Sequence, residues 1–160
     1  MRHARSESPG DTLLRMWRGC RRLPFGAAIF GAAIARRVPY SGSIAPRVLE
    51  LSPGHARIAL RDRRAVRNHL GSIHAVALVN LGELAGGLAM TTALPGGRRA
   101  IVTAIHTEFL KKARGRIVAV SDVTLPPLGD ETEVEVRAEL RDAAANVVAV
   151  TTVRWRVGLA

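Results

Sequence analysis

Residues 73–93 constrain the fold of this chain more than any other stretch of its sequence. Large apolar residues fall on every side of a helix drawn through them, and after His74 only Asn80 and Glu83 interrupt that surface before Thr91. A helix that is apolar all round must be surrounded by protein. The pattern therefore predicts one long helix over residues 73–93, at the centre of the fold.

Three glycines lie inside this predicted helix, at positions 82, 86 and 87. Each costs about 1 kcal/mol relative to alanine in a helix interior. Glycine tolerated at that cost indicates that another part of the chain packs close to the helix backbone. Ser72 precedes the apolar stretch and is a good N-cap residue, so the helix is expected to start there.

The remaining sequence is typical of strands joined by short turns. Two short strands are predicted on either side of a Pro53-Gly54 turn, and four more follow the helix, over residues 44–51, 56–60, 99–110, 116–125, 132–141 and 147–157. Short connections favour antiparallel pairing, because a parallel crossover needs a dozen or more residues. We therefore predict an α+β hotdog fold, an antiparallel sheet of five to six strands wrapped around one long central helix.

The N-terminal part of the chain is predicted to add an extra helix over residues 12–37, after a loose polar end at residues 1–11. Its apolar run, residues 23–35, is shorter than the roughly 20 residues that span a bilayer, so no stable membrane insertion is expected. A signal or transit peptide and an interfacial membrane helix remain alternatives to a helix packed on its own domain. The predicted division is a basic tail and apolar helix at 1–37 and a hotdog domain at 38–160.

Charge and composition limit the classes of partner. The formal net charge is +11, and a basic surface attracts polyanions in general. Aromatic residues make up only 4% of the chain, which leaves few stacking platforms for single-stranded nucleic acid, so no nucleic-acid partner is predicted. The single cysteine, Cys20, allows neither a disulfide nor a cysteine-based metal site. We expect no metal and a reducing, cytoplasmic location.

A spaced set of polar residues surrounds the start of the central helix. The run from Asn68 through Gly71 to His74, followed nine residues later by Glu83, resembles the Asn-x-x-Gly-x-x-His-x₈-Asp/Glu signature of hotdog acyl-CoA thioesterases of the phenylacetate-pathway type. It is particularly similar to the DUF4442 branch, whose members carry an N-terminal helix and a Pro-Tyr-Ser-Gly segment like residues 39–42. The resemblance covers residues 38–157. It implies hydrolysis of acyl-CoA or acyl-carrier-protein thioesters, with coenzyme A as part of the substrate and no separate cofactor.

The residue types suit this chemistry. Thioester hydrolysis needs a carboxylate that activates water or attacks directly, donors for the oxyanion, and a group that orients the nucleophile. Glu83 is the candidate base or nucleophile, because desolvation in an apolar helix disfavours its charged form and raises its pKa. The alternative is a glutamate paired with an arginine.

The helix start supplies the other candidates. Backbone N–H groups without intrahelical partners collect there, which makes the Ala75 N–H a candidate oxyanion donor beside His74; the alternative for His74 is a purely capping role. Asn68 is a candidate for orienting water or the thioester, or an ordinary loop residue that bonds its own backbone. The resemblance implies His-Gly-Gly where this chain has His74-Ala75-Val76. That difference keeps a non-catalytic protein that binds acyl-CoA or lipid as the alternative function.

Helix geometry separates the candidates. Positions 74 and 83 lie half a turn out of phase and about 13 Å apart along a helix axis. One chain cannot easily direct both at a single carbonyl. We therefore predict that Glu83 of one subunit works with Asn68, His74 and Ala75 of another, in a homodimer or a tetramer, and the resemblance implies the same shared site.

Further candidates follow the helix. Thioesterases of the resembled type often carry Ser or Thr on the next strand. Val102 aligns nearest that position and Thr103 beside it is the candidate, with His106 and Glu108 on one strand face as alternatives. The resemblance implies that coenzyme A phosphates bind near the following turn, and a basic cluster there suits them. The alternative is a solvated turn. The candidate cofactor-binding residues are Lys111, Lys112, Arg114 and Arg116.

Overall fold

The computed structural model describes residues 8–160, so residues 1–7 of the predicted polar end lie outside it. Two helices and a one-turn helix come first, then a hairpin, the long helix and four strands. In chain order the elements are α1 (Pro9–Cys20), α2 (Gly26–Arg37), α3 (Pro39–Gly42), β1 (Arg47–Ser52), β2 (His55–Leu60), α4 (Ala75–Ala93), β3 (Arg98–Phe109), β4 (Ile117–Asp122), β5 (Glu131–Arg141) and β6 (Val147–Leu159).

The six strands form one sheet in the order β1-β2-β4-β5-β6-β3. All five pairings are antiparallel. Helix α4 contacts every strand of the sheet. The predicted hotdog arrangement is confirmed, with six strands around one central helix.

Helix α4 forms the centre of the core. Leu81, Ala85 and Ala89 on one side of the helix and Met90 on another are fully buried. By length and composition α4 is the one helix of residues 8–160 that could cross a membrane, and most of it is buried inside the protein. Enclosure by protein therefore accounts for its apolar surface.

Strand β5 shows the alternation that its sequence predicts. Its core-facing residues are buried and the residues between them are more exposed. The buried residues are Val134, Val136, Ala138 and Leu140. A strand with one face on the core and one towards solvent gives this period of two.

The start of α4 corrects the prediction at Ser72. The N-cap is His74, whose Nδ1 accepts a hydrogen bond from the Val76 N–H at 3.1 Å. Ser72 is buried, and its hydroxyl donates instead to Asn68 Oδ1 at 3.2 Å. The N–H groups of Ile73 and His74 bond the carbonyls of Ala113 and Val66. These bonds hold both residues outside the helix.

The prediction of a single helix over residues 12–37 is wrong, because the helix is interrupted between Cys20 and Gly26. Pro24 has no N–H to donate, and Phe25 lies in the left-handed region at φ 60°. Helix α1 also begins earlier than predicted, at Pro9, because Ser8 and Asp11 form a capping box. Residues 39–42 form the short helix α3.

Helices α1 and α2 pack on the body of the domain. At Gly10 of α1 a Cβ atom would lie 2.4 Å from the Thr91 carbonyl oxygen, so the backbones of α1 and α4 touch. Trp17 of α1 meets Phe30 of α2 edge to face, with ring centroids 5.1 Å apart. This packing agrees with the predicted helix packed on its own domain.

The glycines of α4 differ in their surroundings. A Cβ at Gly82 would lie 2.3 Å from Thr151 Oγ1 on β6, which confirms the predicted close approach. At Gly86 the nearest atom would be 3.4 Å away, and at Gly87 3.7 Å away. The expectation of close packing is therefore wrong at Gly86 and Gly87, where a methyl group would make ordinary contacts.

We predict that Gly82→Ala destabilises the protein although alanine favours helix. The added methyl would overlap Thr151, which is fully buried on β6, and overpacking of this kind costs about 1–3 kcal/mol. Urea unfolding measures the change. The matched control, Gly87→Ala, should be neutral or stabilising by about 0.5–1 kcal/mol. Equal stability of the two variants would contradict the close approach at Gly82.

Candidate active site

Glu83 lies half-buried in the middle of α4. It lines a cavity of about 810 Å³ between the N-terminal helices and α4, within the 300–1,000 Å³ typical of small-molecule sites. The apolar side chains of its lining come from α1, α2, α4 and β6. The larger ones are Leu13, Met16, Ile34, Leu84, Leu88 and Trp155.

No residue in 8–160 forms a hydrogen bond or ion pair with the Glu83 carboxylate. Arg36 and Arg37 line the same cavity, but neither pairs with it, so the arginine-paired alternative does not describe this side chain. Burial raises the pKa of Glu83, and no donor or positive charge opposes that effect. The carboxylate is therefore a better proton acceptor than a glutamate on the protein surface.

The start of α4 presents one free backbone donor. His74 is exposed, and its Nδ1 accepts a hydrogen bond from the Val76 N–H. In the neutral ring the proton is therefore on Nε2. The Ala75 N–H is the first of the helix, lies on an exposed residue, and has no acceptor within the described chain. This donor is positioned to bind an anion at the positive end of the helix dipole.

Asn68 organises the loop before α4. Its Oδ1 accepts hydrogen bonds from the Leu70 N–H at 3.0 Å and from the Ser72 N–H and hydroxyl at 3.2 Å. The oxygen therefore stabilises the loop, in agreement with the alternative of a loop residue that bonds its own backbone. The Nδ2 group donates to no residue of the described chain, so it remains able to bind a ligand.

Four of the predicted residues line a second hollow, of about 400 Å³. Asn68 and Ala75 lie on one side of it, and Lys111 and Lys112 on the other. Lys111 also forms an ion pair with Asp142 at 3.2 Å. The structure thus places two candidate phosphate-binding cations beside the candidate oxyanion donor.

The other predicted residues lie outside both hollows. Arg114 and Arg116 are exposed on the same turn but do not line the hollow of Lys112. Thr103 is exposed on β3, and its hydroxyl donates to the Arg154 carbonyl at 3.3 Å. The structure therefore does not bring Thr103 to Glu83 within one chain.

Glu83 and the residues near the start of α4 do not share a cavity in one chain. Glu83 lines the 810 Å³ cavity, whereas Asn68 and Ala75 line the 400 Å³ hollow. His74 lines a third, smaller depression with Asn80. The shared subunit site remains a prediction, and this separation is the geometry from which it starts.

Trp155 is a cavity residue that sequence reasoning missed. Its indole N–H is buried and has no acceptor within the described chain, and the side chain lines the cavity of Glu83. In the sequence Trp155 is one more apolar position of an alternating strand. Only the register of β6 and the fold of α1 over α4 bring it to the cavity.

The residues of the structure offer no metal centre. Within residues 8–160 no three His, Cys, Asp or Glu side chains are grouped so that they could hold a metal ion. The chemistry available is that of a half-buried carboxylate, one free backbone N–H donor and two lysines. This set suits acyl transfer to water.

Comparison with protein-family models identifies the family to which the chain belongs. The model of a family described as a domain of unknown function, DUF4442, matches residues 26–157. The chain belongs to the DUF4442 family. Family and chain agree over α2, the sheet and α4, and the predicted relationship is confirmed. None of the curated proteins matches the chain significantly.

Solved structures share the fold of this DUF4442 protein. A structural-genomics crystal structure is 32% identical, with a TM-score of 0.81, and the alignment covers 93% of this chain and 99% of the other. A Pseudomonas aeruginosa protein of unknown function, described as a probable thioesterase, is 25% identical, with a TM-score of 0.69 and coverage of 86% and 97%. A mutant of the phenylacetic acid degradation protein PaaI from Thermus thermophilus is 23% identical, with a TM-score of 0.63 and coverage of 76% and 99%.

The raised pKa of Glu83 predicts a pH-dependent difference between the wild-type protein and Glu83→Gln. Because burial raises the folded-state pKa above the ordinary value of 4.5, stability is greatest below that value and falls as the pH rises through the folded-state pKa. Glutamine removes this loss. The Tm of the variant minus that of the wild type should therefore increase from pH 4 to neutral pH, as measured by thermal unfolding.

Glu50→Gln is the matched control, with the opposite sign. A hydrogen bond from Arg57 lowers the pKa of Glu50, so its ionised form stabilises the fold at neutral pH and this effect is lost in acid. Its Tm difference from the wild type should become more negative as the pH rises. A Glu83→Gln difference that stays constant with pH would contradict the unpartnered, buried carboxylate.

Proposed function

We propose that this DUF4442 protein hydrolyses acyl-CoA or acyl-carrier-protein thioesters at a site shared between two subunits. The observation that carries the proposal is Glu83, a half-buried carboxylate without a partner that faces a largely apolar cavity. The cavity suits an acyl chain, and the carboxylate suits activation of water. The likeness to thioesterase folds supports this reaction class.

Glu83 acts as the general base in the simplest mechanism. Its ionised carboxylate takes a proton from water while the water oxygen attacks the thioester carbon. The tetrahedral oxyanion then collapses, the carbon–sulfur bond breaks, and the thiolate receives the proton. In the alternative, Glu83 attacks the thioester carbon directly, and water hydrolyses the resulting anhydride. Both routes release one carboxylic acid and one thiol.

The start of α4 supplies the complementary groups. The free Ala75 N–H at the positive end of the helix is suited to the oxyanion, and Asn68 Nδ2 can orient the thioester or water. Lys111 and Lys112 line the same hollow, where they can pair with coenzyme A phosphates. These groups belong to the partner subunit in the proposed arrangement.

The exposed edge of strand β3 supports the proposal of a second subunit. It pairs only with β6, so one of its sides carries unpaired backbone groups that readily pair with another chain. Its apolar residues Ile101, Ile105 and Phe109 are 45–56% exposed. Pairing of two copies along β3 would cover both features, and it would bring a second chain to the hollow that Phe109 lines.

We predict that Glu83→Gln abolishes thiol release while the dimer persists. Glutamine keeps the size of the side chain but cannot accept a proton from water, and loss of general-base catalysis reduces kcat by about 10²–10⁴. Thiol release from a panel of acyl-CoAs measures kcat, and sedimentation measures the assembly. Binding of the panel without turnover by the wild type would instead favour the acyl-CoA- or lipid-binding alternative.

Ala75→Pro tests the backbone donor. Position 75 is the first residue of α4, where proline is tolerated, and the preceding His74 already has the extended ψ of 138° that a following proline requires. The variant replaces the N–H by the ring of proline, which adds two carbons and keeps the helical backbone. We expect kcat to fall about 10²–10³-fold, whereas Ala75→Gly, which keeps the N–H, should retain activity. Equal activity of the two variants would exclude this donor from the reaction.

Mixed dimers test the sharing of the site. Glu83→Gln and Ala75→Pro each inactivate both sites of their own homodimer if the site is shared. A mixed dimer then contains one intact site, so random mixing should restore about a quarter of wild-type activity. If each chain holds its own complete site, every site in the mixture stays defective and no activity returns.

A further inference from the structure

Helix α2 carries apolar residues on the side that faces away from the domain. Apart from two arginines at its end, it consists of glycine, alanine, isoleucine and phenylalanine. One side is buried through Phe30 and Ile34, whereas Ala28, Ile29 and Ala32 on the opposite side are exposed. A helix that is apolar on all sides is normally enclosed. The outer side of α2 therefore lacks a cover within the described chain.

The apolar surface continues into the loop before α2. Phe25 is 82% exposed and Leu23 54% exposed. Phe25 also lies in the left-handed region at φ 60°, which is unusual for a bulky residue and less strained for glycine or asparagine. Neither packing of the ring nor the backbone conformation accounts for phenylalanine at this position. The α2 apolar face consists of Leu23, Phe25, Ala28, Ile29 and Ala32.

Arginines lie at both ends of the α2 apolar face. Arg21 and Arg22 precede it, Arg36 and Arg37 follow it, and all four are exposed. None of them forms an ion pair or a side-chain hydrogen bond with a residue that the structure describes. Residues 12–49 contain seven arginines and no aspartate or glutamate. A partner that complements this face has to supply negative charge beside apolar groups.

A second copy of the chain does not meet this requirement. In a symmetric dimer the same patch meets itself, so this face would bring two sets of unpaired arginines together. Glu50 lines a hollow with Arg21 and Phe25, but it already accepts a hydrogen bond from Arg57 at 2.6 Å. An anionic lipid bilayer offers both parts, negative headgroups at its surface and hydrocarbon beneath them.

We propose that the α2 apolar face binds the surface of an anionic lipid bilayer. Phe25 and Leu23 enter the boundary between headgroups and hydrocarbon, and the arginines lie among the headgroups, with α2 in the plane of the membrane. Helix α2 is about 18 Å long and its inner side stays packed on the domain, so this is reversible surface binding rather than insertion. The face also borders the cavity of Glu83, which Ala33, Arg36 and Arg37 line.

Vesicle sedimentation tests the charge requirement. The wild type should bind phosphatidylcholine vesicles with about one-third phosphatidylserine at least about tenfold more tightly than phosphatidylcholine alone, and added salt should weaken binding. Arg21→Gln combined with Arg22→Gln should weaken it at least about tenfold. The matched control, Arg154→Gln with Arg156→Gln, removes the same charge from exposed positions of β6. Equal losses for both pairs would show attraction by net charge alone and overturn the proposal.

Phe25→Asn tests the apolar contact. Asparagine tolerates the left-handed conformation better than phenylalanine, so the variant should keep or raise the Tm of the wild type. Its binding to the anionic vesicles should fall at least about fivefold, because no ring enters the bilayer. The matched control, Leu159→Asn, changes an apolar residue that is 57% exposed at the end of β6, and it should bind like the wild type. Undiminished binding by Phe25→Asn would overturn the proposal.

Phe25→Trp reports where the bilayer lies. On anionic vesicles the new indole should emit at shorter wavelength and be quenched by lipids with brominated acyl chains, as expected for a side chain buried about 5–10 Å deep. Trp17 and Trp155 are buried in the fold, and Leu159→Trp controls for their signal. Equal quenching in the two variants would place the membrane contact elsewhere on the protein.

Sedimentation without lipid separates a bilayer from a second copy of the chain. Phe25→Asn and the variant with Arg21→Gln and Arg22→Gln should keep the oligomeric state of the wild type. Dissociation of the wild-type assembly by either change would mean that a second copy covers the face, and would overturn the proposal. No measurement here uses turnover. Failure of vesicle binding leaves the proposed hydrolysis standing, and failure of thiol release leaves the lipid surface standing.

Discussion

The burial of α4 on most of its surface is the constraint on which the rest of the structure depends. The sheet covers one side, and α1 and α3 contact part of the other. A carboxylate in such a helix loses hydration, and a buried charge is unfavourable unless it is paired. Glu83 has no partner within the described chain and its pKa is raised. The same enclosure that stabilises the fold therefore makes this carboxylate a stronger proton acceptor than an exposed one.

The N-terminal helices complete this enclosure only in part. Gly10 lets α1 touch the backbone of α4 at Thr91, at one end of the helix. Nearer the middle, around Leu84 and Gly87, the helices stand apart and leave the cavity. The close packing at one end of α4 and the space beside the carboxylate have different effects. The first gives stability, and the second gives room for an apolar ligand next to Glu83.

Several features could be predicted from sequence because they depend on local periodicity. The apolar surface of α4 and the alternation in β5 each follow from the spacing of residues along one element. The break at Phe25 could not be predicted, because Phe25 lies inside a continuous apolar run. The cap at His74 could not be predicted, because serine, as at Ser72, is the more common capping residue. The unpartnered N–H of Trp155 depends on which helix lies opposite β6, and no pattern within one strand contains that information.

The separation of the polar groups also follows from geometry that the sequence contains. Helix rise and rotation place positions 74 and 83 apart, and the structure puts Glu83 and Ala75 in different hollows. Each hollow holds part of what thioester hydrolysis needs, a base in one and a backbone donor with two lysines in the other. The edge of β3 is long and unpaired, and native proteins usually pair or cover such an edge. In the proposed dimer a second copy of the chain would meet both requirements at once, because the assembly that covers the edge would also complete the site.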